Sequence, residues 1–144
     1  MPLTYRLVGY DWSKYNWENK QVSYWSKATI NHVAFRIGAF ETFVNQYGAY
    51  LRPTKVIEKA YCEPTIVTCS RPLPSENMAV ITSLVNDYGG MNRPYVYLYN
   101  FTGKVLPTPK SCTDLAWRCL KTIGLDVKER FLPNQLMKEF YTCK

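Results

Sequence analysis

Cys112 and His32 are the residues whose types and setting could do chemistry in this chain. Cys112 follows Ser111, a good helix N-cap, and Asp114 stands three positions after the serine, as in a capping box. The sulfur then falls in the first turn of a helix, where open N–H groups and the helix dipole favour a thiolate. A thiol nucleophile also needs a base and a group to orient that base. The base must be His32, because the chain has no other histidine. The remaining cysteines, Cys62, Cys69, Cys119 and Cys143, lack such a setting. They are expected to be reduced and mostly buried, with Cys119 in the core two turns along the same helix. The five cysteines include no CxxC pair, and one histidine gives no Cys/His zinc cluster of good spacing.

The element that carries His32 is an alternating stretch. In Asn31–Ile37, Val33, Phe35 and Ile37 point one way, and His32, Ala34 and Arg36 point the other, which predicts a half-buried strand. Gly38-Ala39 breaks it, and Phe40–Gln46 reads as the returning strand of a hairpin. With a two-residue turn, Ile37 pairs with Phe40, Arg36 with Glu41, and, counting back, His32 with Asn45. Opposed side chains share a sheet face. The register thus offers an Arg36–Glu41 charge pair and a His32–Asn45 polar pair. An amide oxygen beside an imidazole can fix its tautomer, as in Cys-His-Asn sites. A change of one residue in the turn would shift the partner, so Gln46 and Glu41 remain alternative orienting residues.

Other elements follow from pattern. Tyr47–Pro53 reads as a turn leading out of the hairpin, Thr54–Lys59 as a short helical turn, and Glu63–Cys69 as a strand. Ser75 is expected to cap a helix running to about Tyr88, with Met78, Ile81, Leu84 and Val85 on one face and Gly89-Gly90 at its end. Arg93–Phe101 reads as a strand or an aromatic loop. The helix opened by Ser111 has Leu115, Ala116, Cys119, Leu120 and Ile123 on its apolar face and Gly124 as its stop. Pro133–Phe140 reads as a last short helix.

These residues resemble the circularly permuted NlpC/P60 branch of papain-like enzymes. The run Tyr24-Trp25-Ser26-Lys27-Ala28-Thr29-Ile30-Asn31-His32-Val33-Ala34-Phe35-Arg36-Ile37-Gly38 is similar to that family's histidine motif. Asn45, Gly48 and Arg52-Pro53 stand where its next strand carries a polar residue, a glycine and an Arg-Pro. Ser111-Cys112-Thr113-Asp114-Leu115-Ala116 to Gly124 resembles its nucleophile helix, with Asp114 where the family often has Glu. The order His before Cys is what permutation implies. The resemblance covers roughly residues 22–125. It implies an α+β, permuted papain-like (NlpC/P60-type) domain with a small antiparallel sheet packed on helices. It further implies a thiol hydrolase of peptide, cell-wall-like or ester substrates, with Cys112 as nucleophile, His32 as base and Asn45 as orienting residue. No metal or organic cofactor is implied.

Composition bounds these expectations. The 144 residues suit one domain, with residues 1–21 as an N-terminal arm or extension and 22–144 as the papain-like part. At 47% apolar and 15% aromatic, the chain is not a disordered one. No apolar run approaches a transmembrane length, and the start lacks the pattern of a signal peptide, so cytoplasmic synthesis is expected. The formal charge of +7 comes from scattered lysines and arginines without a basic block, which supports solubility better than nucleic-acid binding. Trp12, Trp17 and Trp25, interleaved with lysines, could stack on bases or sugars, though packing over the domain is the plainer expectation. The alternative to an enzyme is a non-enzymatic bacteriophage virion or tail component on the same fold, docked to other virion proteins through its ends.

Overall fold

The computed structural model describes residues 2–11, 30, 32–91, 110–130 and 132–140. Near its start, Tyr5 and Leu7 alternate with Arg6, Val8 and Tyr10. This period of two produces strand β1 (Thr4–Tyr10), which lies inside the sheet rather than in an arm. On one side β1 pairs antiparallel with β2 (His32–Ile37), from Tyr5↔Ile37 to Tyr10↔His32. On its other side it pairs with two short segments, β5 (Ile66–Val67) and β6 (Arg71–Pro72). The stretch expected as a strand over Glu63–Cys69 is thus only two residues of ladder.

The hairpin forms as its pattern requires. Gly38 takes φ 60°, the left-handed region that glycine enters without a Cβ clash. Strand β3 (Phe40–Asn45) then returns with Ile37↔Phe40 and Arg36↔Glu41 in register. Residues 48–53 correct the sequence reading. They form β4 (Gly48–Pro53), paired with β3 along its length from Phe40↔Pro53 to Asn45↔Gly48. The sheet runs β4-β3-β2-β1-β5, with β6 also on β1.

Four helices complete the described residues, and the molecule is α+β with an antiparallel sheet. Helix α1 (Thr54–Ala60) lies on one face, where Val8, Tyr10, Ala34, Phe43 and Ile57 form a small core. Helices α2 (Asn77–Gly89), α3 (Cys112–Thr122) and α4 (Pro133–Phe140) contribute the other core. It includes Leu7, Phe35, Ile37, Ile81, Leu115, Leu120 and Leu136, none of them accessible to solvent. Each such side chain stabilises the fold by about 1.5–3 kcal/mol through burial.

The helix ends differ in how closely they follow the sequence. Helix α3 ends as expected, with Gly124 at φ 99° just past its last turn. Helix α2 begins later than Ser75. Ser75 and Pro74 form a preceding turn by accepting from the N–H groups of Met78 and Asn77, and Glu76 stands at the cap without a side-chain bond. Among the described residues no helix is long and apolar enough to cross a membrane.

The cysteines also need one correction. Cys62, Cys112 and Cys119 are not disulfide-bonded, but Cys69 is. An odd count without a CxxC spacing had given no sign of a pairing. The tryptophans Trp12, Trp17 and Trp25, the motif residues 24–29 and Asn31, the segment 93–101, Pro107, Pro109 and the tail with Cys143 lie outside the described residues.

Candidate active site

The nucleophile's position is set by a polar lock at the start of α3. Ser111 adopts extended backbone angles, and its Oγ accepts from the Asp114 N–H at 3.1 Å, the N-cap bond that its position foretold. The return half of the capping box takes another route. The Ser111 N–H donates to the hydroxyl of Tyr88 at 3.0 Å, and that hydroxyl donates to Asp114 Oδ2 at 2.8 Å. Arg118 Nε, one turn further on, donates to the same carboxylate oxygen at 3.0 Å. One tyrosine from the end of α2 thereby fixes the helix start that presents Cys112. Burial and the neighbouring Asp114 charge push its phenol well above the ordinary tyrosine range, so it remains a neutral donor.

Cys112 occupies the first position of α3 and is 5% exposed. Its thiol meets the backbone of Val33, the residue after His32, and lies 3.9 Å from Thr113 Oγ1. The sequence expectation of a lowered thiol pKa is not met in this state. Burial pushes the thiol up, and the backbone groups of Val33, Thr113 and Cys112 together with the Thr113 hydroxyl offset only part of that rise. Cys119 lies deeper in α3, where burial alone drives its thiol upward, consistent with a core cysteine.

His32 opens β2 and is 2% exposed. Desolvation lowers its pKa to about 3, so the imidazole is neutral at neutral pH. The Cys112 thiol packs with Val33 in the core under α3, while the imidazole of His32, the next residue back, lies on the opposite, α1 face of the sheet with Tyr10. The hydrogen-bond partners of that thiol are Val33 and Thr113, and His32 is not among them.

The residues expected to orient His32 stand elsewhere. Asn45 ends β3, and its Oδ1 accepts from the N–H groups of Tyr47 at 2.8 Å and Gly48 at 3.2 Å, closing the β3–β4 turn. None of its hydrogen bonds reaches His32. The physical reason lies in the hairpin. The β2–β3 ladder holds only near its turn, and at Phe35 the N–H turns to the side chain of Thr42 at 3.0 Å. A register counted back from the turn therefore does not carry through to His32. Gln46 is exposed in the turn itself.

Glu41 lies on the sheet face of His32 but is bound to other groups. Its carboxylate accepts from the Tyr10 hydroxyl at 2.6 Å, from Arg36 Nε at 3.0 Å and from Thr54 Oγ1 at 3.3 Å. Arg36 also reaches Glu58 of α1 at 3.0 Å. Burial pushes the Glu41 carboxyl up, and the Tyr10 hydroxyl and Arg36 guanidinium pull it back. Among the described residues, the Tyr10 ring packs against His32, with ring centroids 5.4 Å apart. Tyr10 and Tyr88 were missed as site residues. The alternation of Tyr10 with Val8 and Arg6, and the spacing of Tyr88 from Ile81 and Val85, were the available signals.

Among the described residues no group of three or more His, Cys, Asp or Glu side chains could hold a metal ion. Comparison with protein-family models, with curated proteins and with solved structures finds no match.

Proposed function

We propose that this chain is a cysteine hydrolase of amide or ester bonds, built as the permuted papain-like domain that its motifs resemble. Cys112 is the nucleophile and His32 the base. The observation that carries this reading is the locked start of α3, which sets the Cys112 thiol against the peptide that follows the chain's one histidine.

In the proposed reaction the sulfur bonds to a substrate carbonyl carbon as the thiol proton passes to His32, whose imidazole must come round from the α1 face of the sheet to reach it. The tetrahedral oxyanion forms beside the open N–H groups of the first turn of α3. His32 then protonates the departing amine or alcohol, and water releases the acyl group from sulfur. Because thiol and imidazole are both neutral at rest, His32 acts at the moment of attack, without a standing ion pair. Tyr10, held at its hydroxyl by Glu41, takes the packing position beside His32 that Asn45 was expected to fill. A peptide or cell-wall-like amide is the substrate class this family resemblance favours.

The test is hydrolysis of p-nitrophenyl acetate and of a cell-wall peptide amide by the wild-type chain and by Cys112→Ala. Turnover by the wild type that Cys112→Ala abolishes, with the variant's stability kept, supports the proposal. Equal rates for both proteins refute it.

A second reading has its own observation. The near-complete burial of Cys112 and His32, with the thiol pKa pushed up and the imidazole pKa pushed down so that both groups stay uncharged, suits a non-enzymatic virion or tail component on the same fold. Stoichiometric co-purification with particles, retained in Cys112→Ala, distinguishes it.

A further inference from the structure

Three arginines and a glutamate stand in one row across the sheet. The registers place Arg6 opposite Arg36, Arg36 opposite Glu41, and Glu41 opposite Arg52, so all four side chains share the face that carries α1. Two like charges directly opposed in neighbouring strands are unfavourable unless something of opposite sign lies between or beside them. For Arg36 the compensation is visible. Its Nε and Nη2 are engaged by Glu41, Glu58 and the Tyr10 hydroxyl. Arg52 lies over the rings of Phe43 and Tyr50, at 5.0 and 4.7 Å from their centroids.

Arg6 has no such compensation. Among the described residues it makes no salt bridge and no side-chain hydrogen bond. It opens instead into a cleft of ≈ 280 Å³ lined by Thr4, Tyr5, Arg6, Arg36 and Gly38. The residues lining this cleft carry donors that are not otherwise engaged: the Arg6 guanidinium, Nη1 of Arg36, and the Thr4 hydroxyl. Among the described residues no carboxylate lines it. Guanidinium forks match oxyanions in geometry as well as charge.

We propose that the cleft between Arg6 and Arg36 binds a small oxyanion, a phosphate or carboxylate group. Arg6 supplies the principal charge and the fork, while Arg36 Nη1 and Thr4 Oγ1 add hydrogen bonds. Glu41 and Glu58 already offset the charge of Arg36, so the site depends mainly on Arg6. The site is separate from the proposed thiol chemistry. Arg36 lies four residues along β2 from His32, roughly 13 Å at the usual rise per residue, and the buried Ala34 and Val8 lie between.

The test is calorimetric titration of the full chain with inorganic phosphate and, separately, with succinate, at constant ionic strength. One-site binding of either anion is expected, and the stronger of the two identifies the natural group as phosphate or carboxylate. Arg6→Gln is expected to weaken that binding about tenfold or more, the size of one charge-assisted fork. A parallel measurement uses the unmodified chain, so that it does not depend on the variant folding. Phenylglyoxal labelling, mapped by mass spectrometry, is expected to show Arg6 selectively protected by the bound anion. No saturable binding of either anion, binding unchanged in folded Arg6→Gln, or protection confined to other arginines would each overturn the proposal.

Discussion

Replacing Tyr88 with Phe tests how the start of α3 is held. The hydroxyl accepts from the Ser111 N–H at 3.0 Å and donates to Asp114 Oδ2 at 2.8 Å, and Tyr88 is 1% exposed. Its removal leaves the buried Ser111 N–H without its acceptor, a cost of about 1–3 kcal/mol for an unsatisfied buried donor. Asp114 keeps Arg118 and the variant keeps the ring, so the carboxylate's loss is smaller than that of an abandoned buried charge. The two effects together come to about 3 kcal/mol. For a chain of this size that is a fall in Tm of about 10 °C. Urea denaturation of wild type, Tyr88→Phe, Asp114→Asn and the double variant reads both the loss and the coupling. The coupling is expected at about 1–2 kcal/mol, because the hydroxyl and the carboxylate share one bond. A loss under about 0.5 kcal/mol, or fully additive single effects, would refute the lock.

Glu41→Gln removes the carboxylate that Tyr10, Arg36 and Thr54 share, and is expected to cost about 3 kcal/mol in chemical denaturation. That is the low end for breaking a buried pair, since Arg36 retains Glu58. His32 predicts the acid side of the stability profile. Its pKa is near 3 in the folded state and 6.5 when unfolded, so the unfolded chain takes up a proton that the folded chain refuses. Stability is therefore full above pH 6.5 and falls at about 1.4 kcal/mol per pH unit below it, a slope that His32→Gln should remove. The alkaline side has the opposite cause: the phenols of Tyr10 and Tyr88 are pushed up on folding. Stability measured by denaturation is thus expected to decline as pH rises past 10, where the unfolded phenols ionise first.

What could be read from sequence was what local pattern determines. Ser111, Asp114 and Gly124 specify the ends of α3 through bonds spanning a few residues, and they stand where expected. The alternation around Val33, Phe35 and Ile37 fixes β2, and the Arg36–Glu41 pair follows from the turn beside it. The partner of His32 was not legible for the same reason. Asn45 sits far enough from the turn that one side-chain substitution in the ladder, Thr42 for a backbone acceptor, ends the counted register. The tyrosines that hold the site act over long separations. Tyr10 and Glu41 are 31 positions apart, and Tyr88 and Asp114 are 26 apart. A burial-raised thiol pKa likewise has no sequence signature, because the helix N-terminus is visible in the chain and the packing around it is not.

The most direct measurement is the rate at which p-nitrophenyl acetate acylates Cys112, resolved by mass spectrometry against the half-buried, non-disulfide thiol of Cys62 in the same molecule. If Cys112 is the nucleophile and His32 its base, Cys112 is acylated faster than Cys62 despite its burial. His32→Gln then lowers the Cys112 rate about a hundredfold, the usual scale of general-base assistance, and leaves Cys62 unchanged. Acylation of Cys112 no faster than that of Cys62, or unaffected by His32→Gln, would contradict the account.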